Sequence, residues 1–408
     1  MTFSQLTRCR LCDSESLTLI LNLGNQPLAN ALRTHSHLIG ESRYPLKLFK
    51  CDICSLIQIN VNIDPKLMFS DYNWVTGTSA KSILHCENFV EMSTKQAGFV
   101  PDSLLEIGSN DGTLLNAYSK LGVRRLIGVD PASKLMDNYD STILVENIFF
   151  DSLSARQIIE KYGKFDMVVA RNVFSHIPNF IDVVTGVKSL LHSHSIFFME
   201  FHWAYDFLVD LHYDSIYHEH TYYHSIASVK KALEKADLYI FDAFKSPISG
   251  GSVVIASSLT HRKPSSELKE LVDIELTAKL EEKSTWIEFG KKSQENIELL
   301  KKFLDSHADK KICAFGASAR SSTILNAIGS PANRILSIGE NNPRKWGKFT
   351  PGFSIPIESV EEMLLKQPDT IIVFPFNFKS EILKQLAEMK WSGEVLLPIP
   401  HPPTLVRI

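Results

Sequence analysis

Leu104-Leu105-Glu106-Ile107-Gly108-Ser109-Asn110-Asp111-Gly112-Thr113 follows an apolar run and leads into a helical one. A glycine at the end of a first strand lets the backbone approach a ligand closely, at the switch point where open α/β sheets bind nucleotides. The spacing Gly-x-x-x-Gly, with Glu106 before it, departs from the dinucleotide fingerprint Gly-x-Gly-x-x-Gly, which makes NAD the weaker ligand. A turn that serves packing alone is the competing reading. About twenty residues on, Arg125-Leu126-Ile127-Gly128-Val129-Asp130 ends a second apolar run in a carboxylate placed to accept both hydroxyls of a ribose.

The pattern continues outward from this turn. Apolar runs at 103–108, 125–130, 165–170 and 195–200 are separated by stretches of helix length, an alternation that predicts a parallel sheet with helices on both faces. Phe165-Asp166-Met167-Val168-Val169-Ala170-Arg171-Asn172 fits the fourth strand and the loop after it. Strand ends on that face line the ligand crevice, so Asn172 and His176 are candidates for contact with a cofactor or substrate, or for capping and core roles. A polar, Lys/Glu-rich stretch at 265–307 with Leu and Ile at helical intervals predicts one or two long amphipathic helices joining domains. After it, runs at 311–328, 334–342 and 370–377 repeat the order strand, Gly-containing turn, helix, strand, and imply a second nucleotide-binding-like unit.

The class is therefore α/β, with expected domains at 1–65, 66–257 and 258–408, since 408 residues exceed one ordinary hydrophobic core. A composition of 44% hydrophobic and 22% charged residues is that of a folded soluble chain. A net charge of −3 supplies no basic field and argues against nonspecific nucleic-acid binding. The start shows no secretory signal and no apolar run approaches membrane-spanning length, so no membrane partner and a cytoplasmic address are expected.

Four of the six cysteines fall into two Cys-x-x-Cys pairs, Cys9/Cys12 and Cys51/Cys54. In a reducing compartment two such turns read as the knuckles of a tetrahedral four-cysteine zinc site, against the competing readings of buried unpaired thiols or a redox dithiol. Four sulfur ligands leave no open position, so the zinc is expected to support folding and take no part in chemistry. Cys86 and Cys313 are left over as buried thiols.

His202, His212, His218, His220 and His224 crowd a short span with Tyr213, Tyr217, Glu219, Tyr222 and Tyr223. The His-Glu-x-x-His order of zinc hydrolases is absent. Tyr217-His218-Glu219-His220 reads instead as acid/base machinery, because histidine titrates near neutrality and neighbouring carboxylate and phenol groups adjust it; a satisfied polar core is the alternative.

The glycine turn with Asp130 resembles that of class I methyltransferases, in which it binds S-adenosylmethionine. Over nearly its whole length the chain resembles the deoxysugar C-methyltransferase family, whose members methylate carbon 3 of a nucleotide-linked 4-keto-6-deoxyhexose. Tyr217-His218-Glu219-His220 is the most specific signature. Others are Ser249-Gly250-Gly251-Ser252, Phe315-Gly316-Ala317-Ser318-Ala319, Glu340-Asn341-Asn342-Pro343, Thr350-Pro351-Gly352 and Asn377-Phe378-Lys379-Ser380-Glu381-Ile382. The resemblance implies a small zinc-binding domain, a class I Rossmann-like methyltransferase domain and a second Rossmann-like C-terminal domain.

By position it makes His220 the base, supported by Tyr217, Glu219 and, within Asp71-Tyr72-Asn73-Trp74, Tyr72. The cofactor falls to Glu106, Gly108, Asn110, Gly112, Asp130 and Asn172. The substrate, a nucleotide-linked keto sugar, falls to His176, Gly316, Ser318, Arg320, Asn342, Arg344 and Asn377. The expected assembly is a monomer or homodimer. Ser318 to Ser322 reads Ser-Ala-Arg-Ser-Ser where relatives commonly have a lysine and a glycine, and Glu340 replaces their aspartate. These departures bear on the nucleotide or sugar more than on the reaction. The competing functions are an O- or N-methyltransferase, a sugar-nucleotide-binding protein without catalysis, and an NAD-dependent sugar enzyme.

Overall fold

The structure, a computed structural model, describes residues 3–34, 40–69, 75–132 and 139–408. The first unit is built from β1 (Phe3–Gln5), β2 (Leu17–Gln26), β3 (Tyr44–Cys51), β4 (Ile57–Ile59) and β5 (Val61–Ile63), followed by α1 (Pro65–Phe69). Strands β2, β3 and β4 form an antiparallel sheet, and β1 pairs with β5. In β3 the side chains alternate between buried and half-buried, with Leu46 and Leu48 inward, as the period of two in a strand requires.

The middle unit opens with α2 (Ala80–Ala97) and runs through β6 (Ser103–Ile107), α3 (Thr113–Lys120), β7 (Arg125–Val129), β8 (Leu144–Glu146), α4 (Ser152–Tyr162), β9 (Phe165–Arg171), α5 (Phe180–Leu190) and β10 (Leu191–His202). It continues with α6 (Ala204–Val209), β11 (Tyr222–Tyr223), α7 (Ile226–Glu234), β12 (Tyr239–Ser246) and β13 (Ser252–Ser258). Its seven strands lie in the order β12-β13-β10-β9-β6-β7-β8. Strand β6, all five residues buried, sits between β7 and β9, so the order reverses at its carboxyl end and opens the crevice there.

The sheet departs from the all-parallel expectation at one edge. β13 turns back through Gly250 and Gly251 and inserts antiparallel between β12 and β10. Both glycines have positive φ (93° and 121°), and an added Cβ at Gly251 would meet Asp206 Oδ2 at 2.1 Å, so the hairpin requires glycine there. Strand β11 leaves this unit altogether and pairs with β4, carrying the Tyr217–His220 segment up to the first sheet.

The polar stretch forms two helices, α8 (Ser266–Thr277) and α9 (Lys283–Ser306). α9 is not a free connector: Gly290 lies against the Ile20 carbonyl of β2, where an added Cβ would sit 2.0 Å from the oxygen. Trp286, Phe289, Ile297 and Leu300 join one core with Leu21, Leu46 and Ile59 of the first unit and Ile312, Ile324 and Ile338 of the last. That last unit comprises β14 (Ile312–Phe315), α10 (Ala319–Ile328), β15 (Ile335–Gly339), β16 (Ile357–Glu358), α11 (Val360–Leu365), β17 (Thr370–Val373), α12 (Lys379–Glu388), β18 (Glu394–Leu397) and β19 (Thr404–Arg407). Its sheet, β16-β15-β14-β17-β18-β19, is parallel except for the final strand. Among the described residues no helix is long and apolar enough to cross a membrane.

Candidate active site

The two cysteine pairs meet. The sulfurs of Cys9, Cys12, Cys51 and Cys54 all lie within 4.8 Å of one another, where tetrahedral bonds of about 2.3 Å would set sulfurs roughly 3.8 Å apart. The two turns are built alike. Asp13 N–H donates to the Cys9 carbonyl and Ser55 N–H to the Cys51 carbonyl, each at 3.0 Å, and Asp13 and Ser55 both adopt positive φ. Leu11 N–H points at Cys9 Sγ and Cys54 N–H at Cys51 Sγ, the donors a thiolate needs. The hydrogen bond from Cys54 pulls Cys9 down to about 5, while the same contact raises Cys54. The donor set fits a zinc ion held by four thiolates with no open position, and Cys86 and Cys313 are separate buried thiols.

This centre is tied to the middle unit. Lys231 of α7 and Lys235, which caps that helix, donate to the carbonyls of Cys54 and Leu11. Arg10, between the first two ligands, donates to the Pro178 carbonyl and lies over the Tyr222 ring at 5.7 Å.

At the glycine turn, Gly108 has φ +71°, and an added Cβ would meet Val173 Cγ2 at 2.8 Å. Gly112, also at positive φ, precedes α3 and packs under Tyr139, whose hydroxyl donates to the Asn110 carbonyl. Asp130 directly follows β7 and accepts from the N–H groups of Asn110 and Ala132; burial raises its carboxyl. The turn is closed from outside by Thr76 and Gly77, whose N–H groups donate to Asn110 Oδ1 and Asp111 Oδ2.

Glu106 faces Arg171, a partner that the sequence reading passed over although a charged residue ending the apolar run 165–170 marks it. Burial raises Glu106 to about 8 against the opposing charge of Arg171. Glu106 Oε2 and Asn172 Oδ1 are buried acceptors without a partner among the described residues, both at the reversal between β6 and β9. Two unsatisfied acceptors beside a turn that admits only glycine fit a ligand carrying an ammonium group and a ribose, as S-adenosylmethionine does.

Across the crevice, His220 is buried with Nε2 2.9 Å from the Tyr217 hydroxyl and Nδ1 3.1 Å from the Ser215 carbonyl. A carbonyl can only accept, so Nδ1 carries the proton and Nε2 receives the Tyr217 hydroxyl. Burial holds His220 well below its ordinary value, and the rings of His176 and His202, at 5.0 and 5.5 Å, add to the shift. His176, itself lowered to about 4 by burial, binds the Glu219 carbonyl through Nδ1 at 3.0 Å. Glu219 is pushed up to about 7 by burial and accepts at 2.7 Å from Asn30, a residue of the first unit with no distinguishing sequence pattern. His218 points elsewhere, packing edge-on against Tyr44, and His224 lies among Phe180, Phe201 and Tyr222. Tyr72 lies outside the described residues.

The C-terminal residues divide. Arg320 reaches the crevice and grips Asp214 with two hydrogen bonds. Asn377 lies against Gly250, where an added Cβ would meet its amide at 2.5 Å. Gly316 and Ser318 do not present their N–H groups to a ligand: Gly316 donates to the Gly339 carbonyl, Ala317 to Glu340 and Ser318 to Ser321 Oγ. Glu340, where dinucleotide folds hold a ribose, is taken up by Ala317, Asn342 and Lys345. Asn342 caps the following turn through Arg344 N–H, and Arg344 itself is exposed.

Comparison with known proteins agrees with this architecture. Three family models match: a methyltransferase zinc binding domain over residues 9–69, a methyltransferase domain over 84–242 and a C-methyltransferase C-terminal domain over 247–400. C-methyltransferase NovU of Streptomyces niveus is 28% identical over 405 residues, 97% of this chain and 96% of its own. Similar solved structures include the magnesium protoporphyrin IX methyltransferase ChlM of Synechocystis PCC 6803 with bound SAM (16% identity, 48% of this chain and 98% of that one, TM-score 0.36). Another is an S-adenosylmethionine-dependent methyltransferase of Clostridium acetobutylicum ATCC 824 (13%, 44% and 92%, TM-score 0.33).

The fold, the glycine turn and the matched domains define an S-adenosylmethionine-dependent C-methyltransferase with a zinc-bearing N-terminal domain. Within that class the chain is similar over nearly its whole length to C-methyltransferase NovU, in keeping with its resemblance to the deoxysugar C-methyltransferase family.

Proposed function

We propose that the enzyme methylates C-3 of a nucleotide-linked 4-keto-6-deoxyhexose, with His220 removing the proton from that carbon. The observation that carries the reading is the His220 ring, which is neutral, protonated at Nδ1 and basic at Nε2, and stands beside a phenol in a crevice where all three units meet. A ketone acidifies its neighbouring carbon, and a positioned base contributes about 10²–10⁴-fold to such a proton transfer.

In this scheme Nε2 of His220 takes the C-3 proton. The Tyr217 hydroxyl, which donates to Nε2 without substrate, turns to the keto oxygen and donates to the developing enolate. Glu219, held by Asn30, sets the charge beside the base, and His176 lines the same crevice. Tyr72 is assigned to this site by resemblance. Glu106, Gly108, Asn110, Gly112, Asp130 and Asn172 orient S-adenosylmethionine, which supplies the electrophilic methyl group. Among the C-terminal residues, Arg344 and Asn377, with Asn342 shaping the turn, face the nucleotide, whereas Gly316 and Ser318 shape α10.

The test is transfer of a labelled methyl group to a panel of nucleotide-linked keto sugars, with the product located by NMR. Label on the ring carbon beside the ketone, with exchange of that carbon's proton into deuterated water, is the expected result. Label on oxygen or nitrogen overturns it.

A further inference from the structure

The segment bearing the catalytic base is anchored from the C-terminal half of the chain at three nearby points. Tyr213 O–H donates to Asn296 Oδ1 of α9 at 2.9 Å. Fully buried Asp214 receives both Nε and Nη2 of Arg320, at 2.7 and 2.9 Å. The Ile216 carbonyl accepts from Oγ1 of buried Thr323 at 3.0 Å. Arg320 and Thr323 lie three residues apart, on one face of α10.

Asp214 and Ile216 flank Ser215, whose carbonyl accepts the Nδ1 proton of His220. The side chains of α10 therefore bracket the one backbone group that decides which nitrogen of His220 is basic. A bidentate guanidinium–carboxylate pair fixes orientation as well as distance, and Thr323 fixes the peptide on the other side. Were the carbonyl to turn away, the proton would be as well placed on Nε2, facing the Tyr217 oxygen, and the ring would present no lone pair to substrate.

We propose that Arg320 and Thr323 are positioning residues for the base: by clamping Asp214 and the Ile216 carbonyl they hold the Ser215 carbonyl on Nδ1 and keep Nε2 of His220 basic. The C-terminal domain in this way completes the acid/base site of the middle domain in addition to meeting the substrate. The proposal rests on the reading of His220 as the base, but the state of its ring is measurable without turnover.

The experiment uses the full-length, zinc-loaded enzyme with 15N-labelled histidine. Long-range 1H–15N spectra of wild type, Arg320→Met, Arg320→Lys and Thr323→Val give the tautomer of His220, its resonance assigned with His220→Asn. Alongside, kcat, KM for the keto sugar and the pH dependence of kcat are recorded. In wild type the proton is expected on Nδ1. Arg320→Met should shift it towards a mixture and lower kcat by about 10²-fold, as misplacement of a reacting group does. Arg320→Lys should restore part of kcat, and Thr323→Val, which keeps the volume, should shift the ring in the same direction. If Arg320→Met does not fold, Thr323→Val carries the test. An unchanged tautomer and pH profile, with KM alone raised, overturns the proposal and makes Arg320 a substrate ligand. An active His220→Asn enzyme refutes the reading of the base and leaves the tautomer comparison standing.

Discussion

The Tyr217 hydroxyl lies 2.9 Å from Nε2 of His220, and the phenol and imidazole rings overlap with centroids 4.1 Å apart. Because Nδ1 is committed to Ser215, this is the one edge of the ring from which a proton can be taken up. His220→Ala should lower turnover by about 10²–10⁴-fold while leaving the affinity for S-adenosylmethionine unchanged, since among the described residues no hydrogen bond or ring contact joins His220 to the glycine turn. Tyr217→Phe should cost about 10²-fold in kcat if its hydroxyl meets the enolate oxygen. Calorimetric titration of the cofactor beside turnover with the keto sugar separates the two effects, and lost cofactor binding in His220→Ala would move the histidine to another role.

Glu219 is raised to about 7 by burial, so its charge changes within the working range. In the proposed mechanism an ionised Glu219 supports the cationic ring that forms as the proton is taken, which makes the ionised form the active one. Activity should rise with pH through about 7, and Glu219→Gln should lower kcat and remove that limb. A rate that falls over the same interval in wild type would mean that Glu219 works as an acid.

Zinc removal should act on stability before chemistry. The knuckle carbonyls of Leu11 and Cys54 are held by Lys235 and Lys231, and Arg10 covers Tyr222, so a collapsed first domain loosens the strand that follows His220. Cys54→Ser or a strong chelator should lower the melting temperature and abolish the first transition, with activity falling in parallel with folded fraction. Metal content, melting and kcat measured on the same samples check this; full activity at unchanged melting without zinc would contradict it.

How far the sequence carries the fold depends on whether the deciding signal is local. The Cys-x-x-Cys turns, the run 103–108 and Asp130 are short patterns with their chemistry attached, and each lies where its spacing implied. The reversed β13 was less visible, because its apolar run 252–258 looks like any buried strand and its direction is set by Gly250 and Gly251, a hairpin signal absorbed into a motif. Partners distant in sequence were invisible: Asn30 is 189 residues from Glu219, and Arg320 is 106 from Asp214. The assignment of Gly316 and Ser318 to the substrate could not take account of Glu340 and Ser321, which take the N–H groups of Ala317 and Ser318 and leave no trace in the pattern of the turn.

His224 provides a test of the buried histidines that does not touch the crevice chemistry. It lies among Phe180, Phe201 and Tyr222, neither ring nitrogen has a partner among the described residues, and burial lowers it from its ordinary 6.5 to about 3. The unfolded chain therefore binds a proton here between those two values that the folded chain refuses. The stability His224 allows is fully present above 6.5 and is lost as pH falls towards 3, by about 2 kcal/mol at about pH 5. Carboxyls raised by burial, such as Asp206 at about 6, have the opposite sign, since they keep a proton in the folded state that the unfolded chain releases. The whole-protein acid profile mixes the two, so the comparison has to be made at one site. Phenylalanine fills the same aromatic space without a titrating nitrogen, and His224→Phe should leave stability near neutrality unchanged or higher while moving the acid midpoint to lower pH. Urea unfolding at several pH values should show the variant and wild type diverging only below about 6.5; parallel curves would mean that His224 is protonated, or hydrogen-bonded to water, in the folded protein.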